Sequence, residues 1–128
     1  PRRIGWLDLP QLRHAIRVSG ITALTMTKLD TLANVHPLKV CTAYKLRGKK
    51  LLDFPASRRD QLEAEPVYES FPGFSGDLTG VRKFADLPVS ARDYVERVEK
   101  WLGVPIAIVS VGQSREQTIV RLPKKIWT

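Results

Sequence analysis

The sequence predicts an α/β fold built on a mostly parallel sheet, with flanking helices and an antiparallel hairpin. Three observations carry that expectation. Two apolar, β-prone runs, Ile21 to Met26 and Val104 to Val111, each follow a stretch of helical period. The second run is continuous rather than alternating, which suits a strand covered on both faces, as in a parallel sheet. Between them, Lys39 to Leu46 and Lys50 to Phe54 flank a Gly-containing polar turn, the pattern of a hairpin.

Taken in order, Asp8 to Val18 reads as a helix. Asp8 suits the N-cap, Pro10 the first turn and Gly20 the stop, while Leu12, Ala15 and Ile16 share one face. Ile21 to Met26 is the first strand, and Leu32 to Pro37 a turn or short helix. After the hairpin, Ser57 to Glu65 is helical, capped by Ser57 with Asp60 three residues on. Val67 to Phe71 is a short strand. Pro72 to Gly80 holds three glycines and a proline, so it is a loop. Ser90 to Leu102 is the clearest helix. Ser90 and Asp93 form a capping pair, and Ala91, Tyr94, Val95, Val98, Trp101 and Leu102 line one face as core. Val104 to Val111 is the second strand and Gln117 to Leu122 the last, followed by a polar tail from Pro123 to Thr128.

At 128 residues and 43% apolar content the chain is one domain, or part of one, with a real core. No apolar run approaches membrane-spanning length and no signal peptide is visible. The single cysteine, Cys41, permits no internal disulfide and reads as buried filler, which fits a reducing, cytoplasmic setting. The chain opens at Pro1 directly on Arg2-Arg3 and its one methionine is Met26, which predicts a segment of a larger protein, removal of an initiator methionine before Pro1 being the alternative. Net charge is +8, and it is unevenly placed. Residues 1–50 hold ten Lys/Arg against two acids, whereas residues 51–128 hold eleven of each. A basic half suggests an anionic partner. The cationic run Lys45 to Lys50 itself reads as a solvated hairpin turn.

Both apolar strands end in polar loops, and in open α/β sheets ligands bind beyond the carboxyl ends of strands. The first such end is Thr27-Lys28-Leu29-Asp30. A carboxylate there can accept two hydrogen bonds from the N1–H and exocyclic amine of guanine, an edge that adenine lacks, while a lysine stem can lie on the purine face. The second end is Ser110 to Arg115. No G-x-x-x-x-G-K-[ST] or G-x-G-x-x-G cradles a triphosphate tail. His14 and His36 have no ligand-spaced companions, Ser57 and Ser90 read as caps, and Glu96 and Glu99 as helix-surface acids. The sequence thus describes a chain that binds rather than catalyses.

Several blocks in collinear order resemble adenylosuccinate synthetase. They are Arg2-Arg3-Ile4-Gly5-Trp6-Leu7-Asp8, Gly20 to Asp30, Lys39-Val40-Cys41, Tyr68 to Phe74, Asp86-Leu87-Pro88, Gly103-Val104-Pro105 and Ser110 to Arg115. The similarity runs from residue 1 to about residue 121. The resemblance implies that residues 1–128 are the C-terminal, guanine-binding portion of that enzyme and part of a P-loop-type nucleotide-binding sheet. The family is a GTP-dependent, Mg²⁺-using ligase of purine biosynthesis that joins IMP and L-aspartate, and it works as a cytoplasmic homodimer. GTP first phosphorylates the 6-oxygen of IMP, and the aspartate amine displaces that phosphate. The resemblance puts the phosphate loop, the Mg²⁺ ligands and the catalytic Asp and His in an N-terminal part outside this chain, so no catalytic residue or metal ligand is expected here and the fragment alone is expected to be inactive.

Carried over by position, Lys28, Leu29 and Asp30 match the family's guanine-reading segment, and Ser110, Val111 and Gly112 its second guanine-side loop. Arg2 matches an arginine of the aspartate-binding loop that also contacts GTP, with Arg3 beside it. Arginine suits such a role because its paired N–H donors grip carboxylates and phosphates. Bacterial members often have Pro-Asp after the Ser-x-Gly, where Gln113-Ser114 stand here. Two other readings remain open at this level: a basic nucleic-acid-binding module, which the placement of aromatics on core faces disfavours, and a stand-alone interaction module.

Overall fold

A computed structural model describes residues 3–122. In chain order the elements are β1 (Leu7–Asp8), α1 (Leu9–Ser19), β2 (Leu24–Met26), a 3₁₀ turn (Leu29–Leu32), β3 (Leu38–Leu46), β4 (Lys49–Leu51) and α2 (Arg58–Glu63). There follow β5 (Glu65–Phe71), a 3₁₀ turn (Phe84–Asp86), α3 (Val89–Leu102), β6 (Ile106–Ser110), a 3₁₀ turn (Arg115–Gln117) and β7 (Thr118–Val120). The predicted polar tail, Pro123 to Thr128, lies outside the described residues. The chain forms two compact units. One takes in the chain as far as Gly20 together with Lys39–Ser70, and the other Ile21–Leu38 and the chain from Phe71 onward.

In the first unit β3 pairs with β1, β4 and β5. The β1 partnership is parallel, Leu7 facing Val40, and the β4 partnership antiparallel, Tyr44 facing Leu51. The hairpin closes through Arg47 (φ 48°) and Gly48 (φ 81°), two left-handed residues as a tight primed turn requires. Arg47 is held by Asp60 at 2.6 Å and Glu63 at 2.9 Å, so the solvated turn is partly neutralised. Asp8 caps α1 as predicted, its Oδ1 accepting from the Gln11 N–H at 2.9 Å, and Gly20 ends the helix in a left-handed conformation. The second Asp8 oxygen accepts from the Tyr44 hydroxyl. Burial, then Asp8, pushes the Tyr44 phenol well above its ordinary range. Ser57 caps α2 through the Asp60 N–H at 3.1 Å. Cys41 is buried, and burial raises its thiol.

In the second unit β6 lies between β2 and β7. It is parallel to β2, with Met26 beside Val109, and antiparallel to β7, with Val109 beside Ile119. Helix α3 buries Ala91, Tyr94, Val95, Val98 and Leu102, as its periodicity predicts. Burying a side chain the size of Val or Leu is worth about 1.5–3 kcal/mol each. Trp101 is half-buried instead, edge-on to Phe71 with the Arg97 guanidinium over its ring. Arg121 joins three elements. It pairs with Glu99 of α3 at 2.9 Å, donates to the Ile106 carbonyl at 2.7 Å and stacks over Phe84.

Several expectations need correction. The sheets are mixed, with β1–β3 and β2–β6 parallel and β3–β4 and β6–β7 antiparallel, where a mostly parallel sheet was expected. Tight turns at Arg47-Gly48 and at Arg115–Gln117 return the chain antiparallel. Strand β2 spans three residues rather than the run from Ile21, because its partner begins at Ile106, after Pro105, which has no N–H to extend the ladder. The turn expected over Leu32 to Pro37 is present at Ala33–Asn34, and a 3₁₀ turn at Leu29–Leu32 that was not expected precedes it. Helix α3 begins at Val89 and is capped by the Pro88 carbonyl, which accepts from Ala91 and Arg92 N–H, so Ser90 is inside the helix and not its cap. Gln117 belongs to a 3₁₀ turn rather than to the last strand.

Candidate functional site

The parallel pairing of β2 with β6 decides where the candidate residues go. Met26 and Val109 are in register, so the segments that follow them, Thr27 to Asp30 and Ser110 to Gly112, leave the sheet side by side at the carboxyl ends of neighbouring strands. Lys28 is left-handed (φ 60°, ψ 35°) and exposed. That kink turns the chain from strand into the 3₁₀ turn and drives Leu29 fully into the core. The turn is fixed by Thr31, whose N–H and hydroxyl both donate to the Lys28 carbonyl, at 3.2 and 2.8 Å. Asp30 follows, half-buried, and its Oδ1 is fully shielded with no hydrogen-bond partner. A buried carboxylate oxygen without a donor is costly, on the order of 1–3 kcal/mol or more. Such an atom at a strand end can take a donor from a bound molecule.

The second loop is closed on itself. The Ser110 hydroxyl donates to the Gly112 carbonyl at 2.7 Å, Val111 is fully buried, and its N–H donates to the Gln117 carbonyl at 2.9 Å. Ser114 caps the following turn in a reciprocal box with Gln117. That assigns Ser114 a local structural role. The carboxyl of Glu116 in this turn sits below its ordinary range, held by backbone and Ser114 hydrogen bonds. Gln117 was missed as a site residue, although the spacing Ser-x-x-Gln is the signature of such a box.

Lys28, Leu29, Asp30, Ser110, Val111 and Gly112 are thus brought to one end of one sheet. Arg3 is exposed in the other unit, and Arg2 lies outside the described residues. Among the described residues, no group of three or more His, Cys, Asp or Glu is placed to hold a metal ion, and no helix is long and apolar enough to cross a membrane.

Residues 1–119 match the family model for adenylosuccinate synthetase. The chain belongs to the adenylosuccinate synthetase family. The adenylosuccinate synthetase of Caldanaerobacter subterraneus subsp. tengcongensis is 52% identical over 120 residues, which cover 94% of this chain and 28% of that protein. That of Listeria monocytogenes serotype 4a is 50% identical over 127 residues, covering 99% of this chain and 29% of the relative. The solved structure of fully ligated adenylosuccinate synthetase from Plasmodium falciparum matches with a TM-score of 0.90 at 35% identity, covering 94% of this chain and 30% of that one. The chain therefore spans less than a third of the length of the adenylosuccinate synthetases it matches.

Proposed function

We propose that this chain is the C-terminal, guanine-binding portion of an adenylosuccinate synthetase, a cytoplasmic and homodimeric ligase that joins IMP and L-aspartate at the expense of GTP. The observation that carries this reading is the Asp30 Oδ1 atom, buried without a donor at the carboxyl end of β2 and beside the Ser110–Gly112 loop. Guanine supplies what that atom lacks. Its N1–H and exocyclic amine form a two-donor edge that one carboxylate can accept. The left-handed Lys28 lays its stem toward the purine face, Leu29 anchors the turn in the core, and the Ser110–Gly112 loop bounds the base from the neighbouring strand. Arg2 and Arg3 complete an arginine loop that grips the aspartate carboxylate, with Arg2 also reaching GTP.

The chemistry of phosphoryl transfer belongs, on this reading, to the remainder of a longer protein of P-loop-type architecture. On the same reading Mg²⁺ would neutralise the triphosphate there. This chain selects the base and holds it still, which is a binding contribution to specificity. In the intact protein, Asp30→Ala is expected to weaken GTP use by about 2–4 kcal/mol, a rise of tens to hundreds of fold in KM, with IMP binding little changed. Inosine triphosphate lacks the exocyclic amine, so the variant should also lose most of its preference for GTP over that analogue. An unchanged GTP KM would refute the assignment.

A further inference from the structure

The loop from Pro72 to Val81 is tied to Asn34 and His36, just beyond the Leu29–Leu32 turn, and to Gln117, just beyond the Ser110–Gly112 loop. On one side the Asn34 N–H donates to the Phe74 carbonyl at 2.8 Å, and Asn34 Oδ1 accepts from the Gly76 N–H at 3.3 Å. His36 adds two more ties, with Nδ1 at 2.8 Å from the Pro72 carbonyl and Nε2 at 3.1 Å from Ser75 Oγ. A carbonyl only accepts, so Nδ1 carries the proton, and in the neutral ring Nε2 accepts from the serine hydroxyl. These residues follow directly on the Leu29–Leu32 turn, to which Val35 is joined through its N–H and the Leu32 carbonyl at 3.2 Å.

On the other side Gln117 spans the gap. Its Nε2 donates to the Thr79 carbonyl at 3.2 Å, while its Oε1 accepts from the Ser114 N–H at 3.0 Å and the Ser114 hydroxyl at 3.1 Å. Its side chain fills the space over Gly112, where a Cβ would come within 2.1 Å of Oε1. The loop between these ties is itself stiffened. Asp77 accepts from the Thr79 N–H at 2.8 Å and hydroxyl at 2.6 Å, and Arg82 donates to the Thr79 carbonyl at 2.6 Å.

We propose that the Pro72–Val81 loop is a brace that sets the spacing of the two base-facing loops, with Gln117 and His36 as positioning residues for guanine. The inference rests on the guanine reading above. Both residues act through other groups, Gln117 through Ser110–Gly112 and His36 through the turn that carries Asp30. A supporting shell of this kind fixes the geometry of a site and leaves its chemistry unchanged.

Kinetics of the intact protein test it. Gln117→Ala is expected to raise the KM for GTP roughly tenfold, with kcat at saturating GTP and the KM values for IMP and aspartate within about twofold of the parent. His36→Ala should act in the same direction. Gln117→Glu keeps the acceptor for Ser114 but sets a carboxylate oxygen against the Thr79 carbonyl, so it too should raise the GTP KM, and it carries the test if Gln117→Ala does not fold. Because both ties end on one loop, the double variant should fall short of the product of the single effects. Unchanged GTP KM in both Gln117 variants, a loss spread equally over all three substrates, or a fully multiplicative double variant overturns the brace. Asp30→Ala keeps the two claims apart. If it alone raises the GTP KM, the brace falls and the guanine site stands; if it too has no effect, the guanine reading itself has failed.

Discussion

At Gly73 a single hydrogen atom decides whether two loops can meet. Its φ of 81° is left-handed, and a Cβ there would lie 2.6 Å from both His36 Nδ1 and the Val35 carbonyl. One of those neighbours is backbone, so side-chain movement cannot relieve the clash. Gly73→Ala therefore combines backbone strain with steric conflict and is expected to destabilise by about 1–3 kcal/mol, read as a lower denaturation midpoint. A midpoint equal to the parent's would show that the Val35–His36 backbone is free to move away. Lys28 presents the opposite case, since a lysine occupies a left-handed conformation that costs a non-glycine residue about 1–2 kcal/mol. Strain of that kind is found where surrounding structure enforces it, often at ligand sites. Here it sits two residues before a buried carboxylate oxygen without a donor.

At the scale of elements the helices show how far local chemistry reaches. Asp8 caps α1 and also accepts from Tyr44, so Asp8→Ala should cost about 1–3 kcal/mol, the lost cap adding to a half-buried hydroxyl without its acceptor. Ser90→Ala should cost less than about 0.5 kcal/mol, because Ser90 lies inside α3 and the Pro88 carbonyl holds the first turn. Urea denaturation of both variants checks the contrast, and a costly Ser90→Ala would restore the serine as the cap. The sequence made α1, α2, the hairpin and the buried face of α3 legible, since caps, turn residues and helical period are local signals. It also put Lys28–Asp30 and Ser110–Gly112 at strand ends. It did not reveal that β2 is only three residues long, because that follows from Pro105 on a partner more than eighty positions away. Nor could it show the ties of His36 to Pro72 and Ser75 or of Gln117 to Thr79, for these depend on a loop brought to them by tertiary structure.

For the whole molecule the same lesson applies to charge. Split at residue 50, the chain has a basic first part and a neutral second part, which motivated a polyanion partner. The folded units divide it differently. The unit reaching Gly20 and containing Lys39–Ser70 holds eleven basic and six acidic residues, a net +5, and the other holds ten and seven, a net +3. Arg17 faces Asp53, and Arg47 faces Asp60 and Glu63, so acids from beyond residue 50 neutralise cations from before it. Tyr94 and Phe74 are buried, and Trp101 is engaged with Phe71, which leaves these rings unavailable as an exposed stacking platform for bases. A polyanion would meet diffuse surface charge, and such binding is governed by counterion release. Its log affinity falls by about 0.7 per neutralised phosphate for each tenfold rise in salt with single strands. Fluorescence anisotropy with a labelled single-stranded RNA should accordingly show association at low ionic strength that disappears by about 0.2 M salt without saturating. Saturable binding that survives that salt would mean that the basic surface is a nucleic-acid interface in its own right, and the excess charge would then need an explanation beyond nucleotide recognition.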